Sequence, residues 1–191
     1  MARTGNMNQP EHILRVLDRH LAKPTRLVLY GRAALALGYP DAPESFHVTM
    51  DVDAILPEVE MAEIEADDGF WHAIENTNQE LQSTGLYITH LFSDAQLIIS
   101  PGWLQHLVPI PMQGLRFLDL KRPSTEDLIL TKMMRIDPQD RSDIHFLLGH
   151  SCLNSNTLED VLKSANVPPI AEIDEAFQEN SRWLRALLPG G

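Results

Sequence analysis

Apolar positions along the chain change period repeatedly, and the changes mark its elements. Over 10–22, Ile13, Leu14, Leu17 and Leu21 recur at helical spacing behind Pro10, a residue suited to a first turn, and Pro24 ends the run. Residues 25–30 then read as a strand, and the unbroken Leu27-Val28-Leu29-Tyr30 is the pattern of a central strand. Gly31 closes it. Arg32-Ala33-Ala34-Leu35-Ala36-Leu37 predicts a short helix that Gly38 terminates, and 40–46, with two prolines, reads as a loop. Residues 50–56 form a second strand. Met50, Val52, Ala54 and Leu56 fall on one face, and Asp51, Asp53 and Ile55 on the other.

Helical spacing returns over 58–83, in two pieces broken around Asp67-Asp68-Gly69, with Phe70, Trp71, Ile74 and Leu81 facing inward. Residues 86–92 and 96–100 read as a strand pair across a Ser93-Asp94 turn. A third hairpin-like strand over 115–120 follows the proline-punctuated 101–111. Helices are expected over 124–135, 138–148, 157–165 and 169–188, the last with Ile173, Phe177, Leu184 and Leu188 on a packing stripe.

Two acids at i and i+2 in an apolar strand point the same way, and burying them without a counter-charge is prohibitive. A cation is therefore expected beside Asp51 and Asp53. The bland alternative is a solvated face on an edge strand, just as Gly31-Arg32-Ala33 is by itself only a tight helix start with an exposed arginine.

Composition narrows the function classes. The 191 residues are 43% hydrophobic, enough for a substantial core. No apolar run is long enough to cross a bilayer, and 1–8 lacks the apolar core of a signal peptide, so the expected location is the cytoplasm. Cys152 is the only cysteine, which excludes an intrachain disulfide and reads as an inert thiol. A formal charge of −12 argues against extensive non-specific nucleic-acid binding, which relies on Lys and Arg neutralising phosphates, but leaves open a basic partner or a small anion in a local pocket. The histidines lack a metal-binding spacing, and Trp71, Trp103 and Trp183 read as packing anchors.

Leu29-Tyr30-Gly31-Arg32-Ala33-Ala34-Leu35 followed by Thr49-Met50-Asp51-Val52-Asp53 resembles the nucleotidyltransferase superfamily with the DNA polymerase β-like palm. Within it the chain looks closest to bacterial nucleotidyltransferase-like proteins related to abortive-infection toxins. Their later lysine and spaced aspartates match the block from Glu126 through Lys132 to Arg135 and Asp140-Arg141-Ser142-Asp143-Ile144. The resemblance implies an α+β fold. A nucleotidyltransferase-like mixed β-sheet packed with helices would span 10–122, followed by a C-terminal helical region over 123–188 packed on that core. It also implies transfer of a nucleoside monophosphate from a nucleoside triphosphate to an unidentified hydroxyl acceptor, and a possible cognate protein partner of the toxin and antitoxin kind.

What the resemblance implies at the residues is physically coherent. Strand positions two apart lie about 6 to 7 Å from each other, so Asp51 and Asp53 can jointly hold Mg2+ or Mn2+, hard cations that favour oxygen. A helix starting after Gly31 offers N–H groups and a positive dipole to a triphosphate, with Gly31, Arg32 and Ala33 as its cradle. Two positions depart from the family pattern. Arg32 stands where a small residue is usual, and either grips phosphate or pairs with Asp51 or Asp53. The third acid of many members is missing from 86–92, where His90 holds its place; Asp94 just beyond and Asp119 are substitutes. The alternative function is a catalytically silent protein of the same fold that binds or regulates.

The Lys132 block carries a further expectation. Ser124 and Asp127 form a capping box, after which Leu128, Lys132 and Ile136 share a face beside Ile129 and Met133. Asp140 and Asp143 extend the stripe of Ile144, Leu147 and Leu148. Charges on an inward face want partners. Lys132 and Arg135 either pair with Asp140 and Asp143 or serve the nucleotide site, and the two roles are compatible.

Overall fold

The computed structural model describes residues 8–188, apart from the side chain of His90. The chain forms two compact units, one comprising 8–93 with 108–122 and the other 94–107 with 123–188.

The first unit carries the sheet. Helix α1 (Gln9–His20) begins where the Asn8 side chain accepts the Glu11 N–H, and its stripe of Ile13, Leu14, Val16 and Leu17 is buried. Strand β1 (Thr25–Tyr30) leads directly into α2 (Gly31–Gly38), and β2 (Asp51–Leu56) follows after a 3-10 turn over Glu44–Phe46. Two helical pieces come next, α3 (Met61–Glu65) and α4 (Asp68–Leu81); the expected break between them is real, because the Asp67 carboxylate caps α4 at the Phe70 N–H. Strands β3 (Tyr87–Ser93), β4 (Val108–Pro109) and β5 (Leu118–Arg122) complete a five-stranded mixed sheet of order β3-β2-β1-β5-β4. The β1–β2 and β4–β5 pairs are antiparallel, and the β1–β5 and β2–β3 pairs are parallel.

One sheet face is apolar throughout. Leu27 and Leu29 of β1, Val52 and Ala54 of β2 and Leu118 and Leu120 of β5 are buried, with α1, α2 and α4 lying against the strands. Two side chains complete this layer. Asp18 of α1 accepts the backbone N–H groups of Arg116, Phe117 and Leu118, tying the helix to the start of β5. Asn78 of α4 donates to the Ile88 carbonyl and accepts the Ile88 N–H, occupying the outer edge of β3 as a neighbouring strand would.

The second unit is helical: α5 (Thr125–Thr131) with a 3-10 turn over Lys132–Met134, then α6 (Pro138–Leu148), α7 (Ser155–Ser164) and α8 (Ala171–Leu187). Asn180 of α8 donates to the Met133 and Arg135 carbonyls and accepts from Arg141, so that one buried amide closes the end of the turn.

Several expectations are corrected. Residues 96–100 are not a strand paired with β3. Asp94–Gln96 is a 3-10 turn, and Leu97, Ile98 and Ile99 are buried in the helical unit, where Ile99 makes a lone bridge to Asn166 and the Ser100 N–H is taken by Asp127. An apolar run packed on all sides has no preferred face, and periodicity cannot distinguish it from a strand. The hairpin-like strand expected over 115–120 is shifted to Leu118–Arg122, because Asp18 takes the amides of 116–118; it pairs antiparallel with β4 on one side and parallel with β1 on the other. Strand β4 escaped notice because its Pro109 reads as loop, yet proline is tolerated on a sheet edge. The capping box at α5 is half formed: Ser124 accepts the Asp127 N–H, but the Asp127 carboxylate bonds the Ser124 hydroxyl and the Ser100 N–H instead of the cap's own amide. Ile136 is 51% exposed, since the chain leaves helical geometry at Arg135 and the stripe stops at Met133.

Candidate functional site

The site stands on the other face of the sheet. In the β1–β2 register Tyr30 lies opposite Asp53 and Val28 opposite Ile55, so Asp51 and Asp53 share a face with Val28 and Tyr30. Strand β2 is internal, between β3 and β1, and both aspartates are half-buried rather than solvated on an edge. Thr49 orients the first of them, its hydroxyl donating to Asp51 Oδ1 at 2.8 Å.

Gly31 makes the approach possible. It opens α2 at φ +64°, a conformation that disfavours any residue with a Cβ, and a Cβ placed there would stand 2.8 Å from Asp53 Oδ2. The carboxylate thus lies against the glycine at the mouth of a helix whose N-cap residue, Tyr30, makes no side-chain cap hydrogen bond, and there the positive end of the dipole favours negative charge. Ala33 packs inward, and the Arg32 guanidinium lies over the Phe46 ring at 5.1 Å from its centroid. The structure therefore brings Gly31 to Asp53, and Arg32 and Ala33 follow it in the first turn of α2.

Beyond β2 the ladder is irregular at the same level. Register passes from Val52 opposite Ile88 to Ala54 opposite Leu91, so Thr89 and His90 share the place opposite Asp53. The ladder irregularity lies beside the acids, and the backbone position of His90 falls within it. Asp94 belongs to the helical unit, where it accepts the Trp103 indole N–H at 2.9 Å. Asp119 lies on β5, separated from β2 by β1, and pairs with Lys121 at 3.1 Å. Sequence reasoning missed Thr49 and Tyr87, the latter opposite Asp51 on β3; only the strand register reveals them. A cavity of about 270 Å³ opens further along the same strand pair, over Val28 and Ile55, walled by the Lys23–Asp67 and Arg26–Glu60 ion pairs.

In the helical unit Lys132 is 8% exposed and Asp143 fully buried. Lys132 Nζ donates to Asp140 Oδ1 at 3.0 Å and to Asp143 Oδ2 at 2.7 Å, and Arg135, itself mostly exposed, donates to the other oxygen of Asp140. Burial resists ionisation of Asp140, but the hydrogen bond from Arg135 and the charge of Lys132 outweigh it and hold the carboxyl below the usual range. The expected ion pairing among Lys132, Arg135, Asp140 and Asp143 is realised, with both cations converging on Asp140.

A mixed sheet in which a glycine-initiated helix leaves one strand while its antiparallel neighbour presents Asp-x-Asp at the helix mouth has the architecture of a nucleotidyltransferase. The chain belongs to the family described as "Nucleotidyltransferase of unknown function (DUF6036)", whose model matches residues 10–180. Membership implies a nucleoside triphosphate substrate. No curated protein and no solved structure matches the chain.

Proposed function

We propose that this protein is a divalent-metal-dependent nucleotidyltransferase that moves a nucleoside monophosphate from a nucleoside triphosphate to a hydroxyl acceptor, in the toxin-like branch of the superfamily and in the cytoplasm. One observation carries the reading: the Asp53 carboxylate is seated against Gly31 at the start of α2, with Asp51 on the same sheet face.

The donor set suits magnesium or manganese. Among the described residues no group of three His, Cys, Asp or Glu side chains forms a metal cage. Magnesium commonly takes only one or two carboxylates and completes its shell with water and substrate phosphates. Asp51 and Asp53 would hold the ion, which when bound neutralises charge on the attacking and leaving oxygens. The chain's own residues do the rest. Gly31 lets the Asp53 carboxylate stand against the backbone, the first amides of α2 bind the triphosphate's oxygens, Arg32 adds a cation at the same turn, and Thr49 keeps the Asp51 carboxylate from rotating. Lys132, Arg135, Asp140 and Asp143 have a supporting role, fixing the turn after α5.

The test is incubation with each labelled nucleoside triphosphate, magnesium or manganese, and a lysate as acceptor pool. Transfer that disappears in Asp51→Asn and Asp53→Asn supports the reading. A wild type that binds neither metal nor nucleotide by calorimetry refutes it and leaves a silent fold. For the toxin assignment, expression of the wild type should arrest growth and the double variant should not.

A further inference from the structure

Tyr87 stands directly opposite Asp51 in the parallel β2–β3 register, on the face that carries both aspartates. It is 38% exposed, and among the described residues its side chain has no hydrogen-bond or ring partner. Val48 and Met50, in the chain leading into Asp51, are exposed too. An exposed tyrosine beside a half-buried acid is an amphipathic surface at the edge of the site.

Its side of the site matters. The strand order places Gly31 and the α2 mouth on the β1 flank of the aspartates, and Tyr87 on the β3 flank. In an in-line displacement the attacking oxygen and the leaving pyrophosphate lie on opposite sides of the reacting phosphorus. A triphosphate cradled at α2 therefore turns its open side towards β3.

We propose that Tyr87 is the platform on which the acceptor rests, and that the acceptor is a hydroxyl-bearing side chain of a polypeptide. The inference rests on the nucleotidyltransferase reading above. Charge selects the acceptor class: 41–55 holds Asp41, Glu44, Asp51 and Asp53 with no Lys or Arg, and 82–93 has no Asp, Glu, Lys or Arg at all. A nucleic-acid end would bring its phosphates to a surface to which these two segments contribute no Lys or Arg, while Arg32, over Phe46, is committed to the triphosphate. A neutral or basic peptide segment meets no such penalty. In the step itself the hydroxyl oxygen bonds to the α-phosphorus, the bond from that phosphorus to the bridging oxygen breaks, pyrophosphate departs with the electron pair, and the hydroxyl proton passes to water.

The experiment labels a lysate with the wild type and divides the product between protease and ribonuclease. Label that resists ribonuclease and is released by protease is expected. Tyr87→Ala should lower transfer about tenfold, the worth of one aromatic contact, through a raised KM for the acceptor while NTP affinity by calorimetry holds; Tyr87→Trp should recover most of it. Ribonuclease-sensitive label overturns the acceptor assignment and leaves nucleotidyl transfer standing. Undiminished transfer by Tyr87→Ala, or a parallel loss of NTP affinity, overturns the role of Tyr87. No label at all, with no NTP binding, removes the nucleotidyltransferase reading and this inference with it.

Discussion

The Asp53 carboxylate occupies the space that any side chain on Gly31 would need, with Oδ2 standing 2.8 Å from the position of a Cβ. Gly31→Ala therefore meets two penalties, a left-handed backbone at φ +64° and a collision with the acid. The backbone term alone costs about 1–2 kcal/mol. The variant should unfold at lower denaturant concentration by that amount, and manganese-dependent NTP binding should weaken beyond what the stability loss explains. Calorimetry on the folded fraction separates the two effects.

Neutralising the acids tests a different link. Asp51→Asn and Asp53→Asn keep shape and remove charge, so each should leave the fold intact and reduce transfer at least about a hundredfold. Thr49→Val removes only the hydroxyl that donates to Asp51 Oδ1. Its loss should be smaller than that of Asp51→Asn, and a rate assay on the three purified variants gives the ranking.

The hydrophobic pattern made the order of elements through β3 and the site corner legible because each rests on local signals. Gly31 ends an apolar strand, and Asp51 and Asp53 alternate with buried Val52 and Ala54. What the pattern hid depends on pairing. Residues 97–99 look like a strand but are buried in the helical unit, and Thr89 with His90 comes level with Asp53 only through a ladder irregularity. Tyr87 comes opposite Asp51 by register alone. The Lys132 cluster was legible because charged positions fell on apolar stripes, whereas the cap of α5 went astray because Asp127 found the more distant Ser100 amide.

Asn78 supplies a prediction about the sheet edge. Its amide meets both backbone groups of Ile88, and Asn78→Ala strands them beneath α4. Each unsatisfied group costs about 1–3 kcal/mol. The variant should lose stability on that scale and, with part of β3 uncovered, self-associate more readily. Denaturant unfolding reads the first effect and light scattering the second. A variant as stable and as monodisperse as the wild type would show that water replaces the amide.

Asp18 makes stability depend on acid. Burial resists its ionisation, but three backbone N–H donors and the charge of Arg116 hold its carboxyl below the ordinary value. A carboxyl depressed on folding contributes stability that is complete above its unfolded pKa and fades as pH falls through the folded one. Stability should therefore drop below about pH 4, the unfolded carboxyl range, and Asp18→Asn should flatten that part of the profile while lowering stability at neutral pH. Unfolding curves from pH 2 to 7 for both proteins measure it, the range being set roughly by the carboxyl titration.

Lys132 gives the sharpest contrast between structural and chemical roles. An ammonium has three donors, and two of them are directed at Asp140 and Asp143. Lys132→Met deletes the charge but keeps the stem, leaving the fully buried Asp143 without the ammonium that neutralises it, at a cost of about 3–5 kcal/mol. Combining it with Asp143→Leu removes both charges of that pair and should regain much of the stability, since a buried ion pair is often no better than an apolar replacement. If Lys132 acts only in the fold, the double variant regains NTP affinity together with its stability. If it also serves the nucleotide, stability returns and affinity does not, because the methionine that restores the packing cannot restore a cation.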